Sequence, residues 1–369
     1  MFNVGSVVSG KYFLDRKTKI KVLTEYINNN QSFTLKAPRR YGKTSLIEHI
    51  FLNIKDKKTT PISCDIKRYP TIELLTQSLS EKYFAIYGIK NFVQKAKKMV
   101  TDLIDEIDTV QLSYSDIKAT IKLLSDDTPS LENLCALLDE FETINIKQKH
   151  KTVIFLDEFQ DILKYKNPEI LNILRATFQK HKTITYIFAG SIEKLMYNIF
   201  EKQTSPFYKF GIVLELDLFD KEDLKIDVIK ILKEKDITFQ NLIDFDDILA
   251  RLNCHPYNTV MLLQKIYYLL LEDNRNTITN NDIKKAYDLA YDSTKRLIEV
   301  ELERTKNIKG TYKLMHDIAN NSDDGLDSNL RYLRKVELEN LGLLTKVSKG
   351  KYEIQDSFIV DYLTTKGIN

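Results

Sequence analysis

Gly42, Lys43 and Thr44 form the combination in this sequence that is best suited to bind a phosphate group. The alternating residues 32–36 before them predict a β-strand, and the apolar spacing of residues 44–52 predicts a helix. A loop that enters a helix N-terminus points backbone N–H groups at one spot, where the helix dipole adds partial positive charge. Gly42 lets the backbone come close, the Lys43 ammonium can reach β- and γ-phosphates, and the Thr44 hydroxyl can bind Mg²⁺. The sequence therefore predicts a phosphate-binding loop.

This loop departs from the usual pattern at one position. In G-x-x-x-x-G-K-[ST], Ala37 replaces the first glycine. Because alanine lacks glycine's easy access to positive φ, we expect a slightly reshaped loop rather than a loss of phosphate binding. The candidate nucleotide-binding residues of the loop are Pro38, Arg39, Arg40, Tyr41, Gly42, Lys43, Thr44 and Ser45.

Two adjacent carboxylates, Asp157 and Glu158, follow the continuous apolar run of residues 152–156. Such a run predicts a strand that is buried on both faces of a parallel sheet, and ligands bind at the carboxyl ends of these strands. Asp157 would help to hold the Mg²⁺ shell, and Glu158 would orient or deprotonate an attacking water. The alternative is a strand end capped by surface charge. The phosphate-binding loop upstream favours the catalytic interpretation, with Lys43 as a second catalytic group.

A third polar position, Ser191, follows the strand predicted for residues 183–189. Its side chain could touch the γ-phosphate or the attacking water, and it could equally cap the next helix. These interpretations are compatible and both stay open. Further strands are predicted at residues 60–66 and 212–216, so strands alternate with helices. This alternation indicates an α/β doubly wound core.

The composition indicates a folded protein of two or three domains. Of 369 residues, 43% are hydrophobic, and Lys+Arg 55 against Asp+Glu 52 gives a net charge of +3. This balance is too even to argue for nucleic-acid binding by itself. Cys64, Cys135 and Cys254 are widely spaced, which excludes a disulfide framework and a structural zinc site. There is no secretory signal pattern and no long apolar run, so we expect a cytoplasmic protein that does not bind membranes.

We predict three domains along the chain. The core spans residues 1–218, with a helical insertion at about 70–146 that serves as scaffold or, alternatively, as a partner-binding surface. A helical lid follows over residues 219–290. Residues 291–369 show two helices and then a strand pair, the pattern of a C-terminal winged helix-turn-helix.

The charges of the predicted winged helix leave its partner open. Arg331, Arg334 and Lys335 fall on its second helix and are candidate contacts to duplex DNA. Residues 291–369 nevertheless contain thirteen Lys+Arg and thirteen Asp+Glu. A protein-interaction or packing module is therefore an equal alternative.

Several of these stretches together resemble the archaeal-type ATPase family of the STAND branch, close to the AAA+ ATPases. Pro38–Leu46 resembles the phosphate loop of that family, residues 155–160 its Walker B strand, and residues 189–191 the strand end with its sensor residue. Residues 253–257 resemble its lid motif, and residues 12–16 resemble its N-terminal motif more loosely. The resemblance implies a P-loop NTPase of the ASCE/AAA+-like type with a parallel sheet core, a helical lid and a C-terminal winged helix.

The same resemblance implies roles for residues outside the loop. His255 would approach the β-phosphate and Pro256 the base, and Asp15 and Arg16 would lie near the adenine. Relatives usually carry an arginine just before the strand at 212, where this chain has residues 206–210. Lys209 or Arg175 could substitute for this arginine, and without one hydrolysis could be slow.

We therefore expect a Mg²⁺-dependent ATPase in which ATP moves the lid and the winged helix relative to the core. Adenine is favoured over guanine because the sequence contains no Asn-Lys-x-Asp motif. One alternative is an ATP-gated DNA-binding protein, similar to the origin-recognition relatives of the AAA+ group. Another is a signalling or defence scaffold that binds a protein partner. The sequence leaves the oligomeric state open, a homo-oligomer included.

Overall fold

The computed structural model describes residues 2–365 apart from residues 88, 90–130, 192, 323–324 and 349–350. The chain divides into two compact units. The sheet unit comprises Thr18–Lys36 and Ile50–Glu215. The C-terminal unit comprises Met1–Lys17, Ala37–His49 and Leu216–Asn369.

A five-stranded parallel sheet lies at the centre of the sheet unit. Its strands are β1 (Phe33–Lys36), β2 (Thr59–Asp65), β3 (Lys151–Asp157), β4 (Ile184–Gly190) and β5 (Ile212–Glu215). They lie in the order β2-β3-β4-β1-β5, and every pairing is parallel. The register places Lys36 beside Gly190 and Leu156 beside Phe188, so β1, β3 and β4 end at one edge. This sheet confirms the predicted α/β core.

Among the described residues, one α-helix precedes β1 and five lie between strands. They are α1 (Lys17–Asn28), α2 (Lys43–Leu52), α3 (Ile72–Ala85), α4 (Leu131–Gln148), α5 (Ile170–Phe178) and α6 (Glu193–Phe200). Strand β4 is buried at every position, as expected for a central strand covered on both faces. Between α3 and α4, the Tyr83 and Phe141 rings stack with centroids 3.8 Å apart. Aromatic side chains thus fill much of the core of this unit.

The predicted core strands agree closely with the observed ones. The strand expected at residues 60–66 is observed at Thr59–Asp65, and the one expected at 183–189 is observed at Ile184–Gly190. Helices α3 and α4 confirm the helical character of the two ends of the insertion at 70–146. The further helices expected within it, and the helix start expected at residues 128–130, lie outside the described residues.

The C-terminal unit is mainly helical. Its helices are α7 (Lys221–Lys233), α8 (Leu242–Arg251), α9 (Pro256–Glu272), α10 (Asn280–Lys306), α11 (Thr311–Asn320), α12 (Ser328–Asn340) and α13 (Ser357–Thr365). Strands β6 (Thr238–Phe239) and β7 (Thr277–Ile278) pair in parallel, and β8 (Thr345–Ser348) and β9 (Lys351–Glu353) pair antiparallel. One apolar core joins Phe2 and Leu14 to the helices of this unit. In the described part of the chain, no helix is long and apolar enough to cross a membrane.

The tail follows the predicted order of two helices and a hairpin, but its first strand begins later than expected. The sequence pattern predicts a strand from Leu343, whereas β8 begins at Thr345. Gly342 has a φ of +72°, and the Leu343 N–H donates to the Leu338 carbonyl at 2.9 Å. Leu343 and Leu344 are also buried. Both residues therefore belong to the cap of α12 and to the core, because a left-handed glycine closes the helix there.

Candidate functional site

The phosphate-binding loop follows β1 and leads into α2, as the sequence predicts. Gly42 has a φ of +83°, and a Cβ there would meet nothing within 4 Å, so backbone conformation rather than crowding requires glycine. The Lys43 side chain is buried, and its Nζ donates to the carbonyls of Ala37 at 2.7 Å and Pro38 at 3.0 Å. The ammonium is thus held against its own loop. Ala37 itself is buried.

Two side chains of this loop contact helices of the C-terminal unit. The Tyr41 ring meets the His255 ring edge to face, with centroids 5.3 Å apart. The Arg40 guanidinium lies over the Tyr257 ring at 5.0 Å and pairs with Glu301 at 3.5 Å. Arg40 has a φ of +68°, which is uncommon for a residue other than glycine. The structure therefore brings Arg40, Tyr41 and His255 together, and their common assignment to a nucleotide site stays a prediction.

His255 is buried, with 3% of its surface exposed, and it precedes Pro256 at the start of α9. Burial lowers the pKa of His255 from its ordinary value of 6.5, the nearby Arg40 lowers it further, and Asp356 opposes both. The imidazole is therefore neutral at neutral pH. Asn258 Nδ2 donates to Asp356 Oδ1 at 2.7 Å, which ties the start of α9 to the segment that precedes α13.

The motif predicted near the adenine, Asp15 and Arg16, lies against the segment that leads into α7. Both residues have positive φ, at 57° and 71°. Asp15 Oδ2 accepts from the Asp220 N–H at 2.7 Å, and Arg16 donates to the Leu218 carbonyl at 3.0 Å. The Arg16 guanidinium also lies 4.9 Å from the Phe219 ring. Burial raises the pKa of the Asp15 carboxyl and lowers the pKa of Arg16.

The N-terminal segment also touches the beginning of α2. The Val8 N–H donates to Ser45 Oγ at 3.1 Å, and the Phe13 ring stacks on His49 at 4.3 Å. These contacts lie within the C-terminal unit. They place Val8 and Phe13 beside the helix that follows the loop. The position of this segment near a bound nucleotide stays a prediction.

In the sheet unit, Glu158 and Ser191 are in direct contact. Glu158 Oε2 accepts from Ser191 Oγ at 2.9 Å, and Asp157 Oδ1 accepts from the Glu158 N–H at 3.0 Å. Glu158 has φ 50° and ψ 43°, a left-handed conformation that is uncommon outside glycine. Such conformations persist where the surroundings enforce them, and they cluster at functional sites. The three predicted side chains at the ends of β3 and β4 thus form one group.

Sequence reasoning missed one member of this group. Gln160 Nε2 donates to Glu158 Oε2 at 2.5 Å. The available signal was its position two residues after Glu158, where a short 3-10 helix, Phe159–Tyr165, returns the side chain towards the carboxylate. A sequence pattern alone gives no such direction.

Arg175 and Lys209 are the two cations that could substitute for the arginine that relatives carry before the strand at 212. Arg175 donates to Gln179 Oε1 at 2.7 Å, and its guanidinium lies 4.4 Å from the Phe210 ring. Lys209 lies 5.2 Å from the Tyr208 ring and has a φ of +57°. The role of either cation in hydrolysis stays a prediction.

The candidate DNA contacts lie on α12, and each makes a contact within the C-terminal unit. Arg331 donates to the Leu326 carbonyl at 3.3 Å, and Arg334 donates to the Lys309 carbonyl at 2.7 Å. Lys335 lies 5.1 Å from the Tyr352 ring. On the same helix, Tyr332 and Leu333 are 63% and 56% exposed.

The metal site predicted from the sequence uses few protein ligands. Within the described ranges, no group of three or more His, Cys, Asp and Glu side chains could hold a metal ion. Mg²⁺ at a nucleotide usually takes one or two protein oxygens and completes its shell with phosphates and water. The Thr44 hydroxyl and the Asp157 carboxylate are oxygen donors of this kind, so the donor set fits the ion.

Comparison with protein families decides the broader assignment. Residues 16–210 match the KAP family P-loop domain. The chain belongs to this family of P-loop NTPases. No curated protein matches the chain.

Two solved structures have a similar fold. The Walker-type ATPase PABY2304 of Pyrococcus abyssi superposes with a TM-score of 0.68 at 18% identity, over 98% of this chain and 99% of that one. The ORC2 protein of Aeropyrum pernix, in ADPNP–ADP complexes, has a TM-score of 0.54 at 12% identity, over 96% of each chain. At these identities the likeness shows the fold alone. The predicted P-loop NTPase fold is confirmed, whereas membership of the STAND branch stays a prediction.

Proposed function

We propose that this protein is a Mg²⁺-dependent ATPase that acts as a nucleotide-driven conformational switch, of the archaeal-type, STAND-like kind. The observation that carries the proposal is the contact between Glu158 and Ser191 at the sheet edge where β1 ends and the phosphate-binding loop begins. The register sets Lys36, the last residue before the loop, level with Gly190. Because the loop follows β1 directly in the chain, we propose that Glu158 and Ser191 act on the γ-phosphate of a nucleotide that the loop binds.

Each predicted residue then has a role on one bound ATP. Lys43 neutralises charge on the β- and γ-phosphates, and Gly42 allows the backbone to approach them. Thr44 and Asp157 supply oxygens to Mg²⁺, which would balance phosphate charge when it is bound. Glu158 orients or deprotonates the attacking water, and Ser191 contacts the γ-phosphate or that water. The remaining proposed nucleotide contacts are Pro38, Arg39, Arg40, Tyr41, Ser45, Asp15, Arg16, His255 and Pro256.

The proposed conformational switch depends on the contacts that the phosphate-binding loop makes with helices of the C-terminal unit. Arg40 and Tyr41 touch Tyr257, His255 and Glu301 within the C-terminal unit. A phosphate group that draws Arg40 or reshapes the loop changes these contacts at the same time. Binding energy can then move helices far from the phosphates, because a ligand shifts a protein towards the state it binds better.

We assign the core to residues 1–218, the lid to 219–290 and a winged helix to 291–369. The tail supports the last assignment, since α11, α12 and the β8–β9 hairpin follow in the expected order. Cys64, Cys135 and Cys254 are all free and buried, which favours a reducing compartment such as the cytoplasm.

The test measures ATP binding and turnover in the wild type, Lys43→Ala and Glu158→Gln. We expect Lys43→Ala to lose ATP binding, and Glu158→Gln to bind ATP while turnover falls about 10²–10⁴-fold. The exposed Lys55→Ala and Glu132→Gln serve as charge-matched controls. Tight ATP binding by folded Lys43→Ala would refute the site, and undiminished turnover by Glu158→Gln would refute its role.

A second candidate function concerns the partner of the tail. Because Arg331, Arg334 and Lys335 all make contacts within the unit while Tyr332 and Leu333 are exposed, α12 favours a protein partner over duplex DNA. A salt-dependent gel shift with duplex DNA that is lost in Arg331→Ala/Arg334→Ala would reverse this preference. Molecular-mass measurement with and without ATP would detect a homo-oligomer.

A further inference from the structure

Three donors converge on one oxygen of Glu158. Its Oε2 accepts from Gln160 Nε2 at 2.5 Å, from Ser191 Oγ at 2.9 Å and from the Ser191 N–H at 3.4 Å. Hydrogen bonds to a charged acceptor are the short and strong ones, so the first two dominate. They arrive from two different segments, the 3-10 helix after β3 and the end of β4. The direction of the carboxylate is therefore fixed from two sides.

The buried amide of Gln160 lowers the stability of the fold. Its side chain is only 2% exposed, and Oε1 is buried without a hydrogen-bond partner in the described residues. An unsatisfied buried carbonyl costs about 1–3 kcal/mol, which a leucine of similar size would avoid. The presence of an amide at this buried position is therefore explained by the hydrogen bond that Gln160 Nε2 donates to Glu158.

Gly190 makes room for this amide. A Cβ at Gly190 would come closer than 3.0 Å to Gln160 Oε1 and to the Met196 side chain. The φ of Gly190 lies outside the left-handed region, so space rather than backbone conformation requires glycine here. Gly190 and Gln160 thus fit together, and the fit keeps the amide beside Glu158.

We propose that Gln160 is a positioning residue for catalysis, which holds Glu158 in the orientation that serves the attacking water, in a place that Gly190 keeps open. This inference rests on the proposed ATPase function. Misplacement of a reacting group by about 1 Å can cost about 100-fold in rate. Gln160 acts through Glu158, so its loss reduces the rate of the chemical step and leaves nucleotide affinity unchanged.

The experiment compares kcat and the Kd for ATP in five variants. Gln160→Leu, which keeps the size and removes the donor, lowers kcat about 10- to 100-fold while Kd stays within about twofold of the wild type. Gly190→Ala lowers kcat similarly, because it displaces the amide. Gln31→Leu is the matched control, since Gln31 is an exposed glutamine in the same unit, and its kcat is unchanged.

Two variants, Gln160→Ala and Gln160→Ala/Gly190→Ala, distinguish positioning from general damage to the fold. In Gln160→Ala there is no amide for the methyl of Gly190→Ala to displace, and the Met196 side chain is the close neighbour that remains. The double variant therefore has about the same kcat as Gln160→Ala alone. The positioning role would be overturned if the double variant showed the product of the two single losses in kcat, or if Gln160→Leu kept the wild-type kcat. In either case, an active wild type would preserve the ATPase assignment. A wild type that binds ATP and never hydrolyses it would overturn both.

Discussion

Glu142 on α4 holds the place where β4 begins, and its removal has a calculable cost. Its Oε1 accepts from the Lys182 N–H at 2.7 Å, and its Oε2 accepts from the Thr183 N–H at 3.1 Å and from Thr183 Oγ1 at 2.6 Å. The side chain is 9% exposed. Glu142→Ala removes the carboxylate that all three donors share.

The magnitude follows from the exposure of those donors. A hydrogen bond to a charged group contributes about 1.5–3 kcal/mol, and less where water can replace the acceptor. Lys182 is exposed and Thr183 is half-buried, so water recovers part of the loss. We expect Glu142→Ala to lower the free energy of unfolding by about 3 kcal/mol. Glu142→Gln, which keeps one carbonyl acceptor, should cost about half as much, and Thr183→Val about 1 kcal/mol.

Urea unfolding of the purified variants measures these differences, and amide hydrogen exchange shows where they act. Protection should fall most across residues 184–190, because these follow the released donors directly. Glu132→Ala, an exposed glutamate on the same helix, is the control. A Glu142→Ala protein that unfolds at the wild-type urea concentration would show that the carboxylate does not secure β4, and the reasoning from these bonds would be wrong.

Two further predictions concern the C-terminal unit. The ion pair of Arg40 and Glu301 is partly exposed, so we expect a coupling free energy of about 1 kcal/mol between the two side chains. A double-mutant cycle of Arg40→Gln and Glu301→Gln, measured by urea unfolding, tests this value. Strictly additive effects of the two substitutions would contradict the ion pair. His255 is buried and its pKa is lowered below 6.5, so the unfolded chain binds its proton more readily than the folded one. Stability should therefore fall as the pH drops below about 6.5, with His49 and His150 acting in the same direction. His255→Gln should lose less stability between pH 6.5 and 5 than the wild type, and an equal loss would count against its burial as the cause.

Local patterns were enough to predict most of the sheet unit. The runs that form β3 and β4 are apolar throughout because both faces of a central parallel strand are covered, and this signal survives in a single sequence. The glycine and lysine of the phosphate-binding loop are recognised by the strand before them and the helix after them, and this signal is equally local. Pro256 lies in the first turn of α9, where proline is favoured, so the start of this helix also carries a local signal.

What the sequence could not predict depends on contacts between distant segments. The fit of Gln160 against Gly190 arises only once a left-handed Glu158 and a 3-10 helix turn the amide towards β4. The contact of Arg40 with Glu301 joins a loop near the N-terminus to a helix near the other end of the chain. The predicted start of β8 was wrong because Leu343 and Leu344 have strand-like composition but belong to the C-terminal cap of α12. Neither the hydrophobic periodicity of the sequence nor the secondary-structure propensity of its residues predicts these contacts.

The compact C-terminal unit and the region that matches the family have different boundaries. Residues 37–49 lie inside the matched span 16–210, yet they cluster with Leu216–Asn369. A fragment cut at the family boundary would keep the sequence of the phosphate-binding loop and lose His255, Tyr257 and Glu301, which Arg40 and Tyr41 contact. The region that matches the P-loop family is therefore not a transferable module. Domain swaps, truncations and fusions designed at residue 210 would separate the loop from the helices that Arg40 and Tyr41 contact.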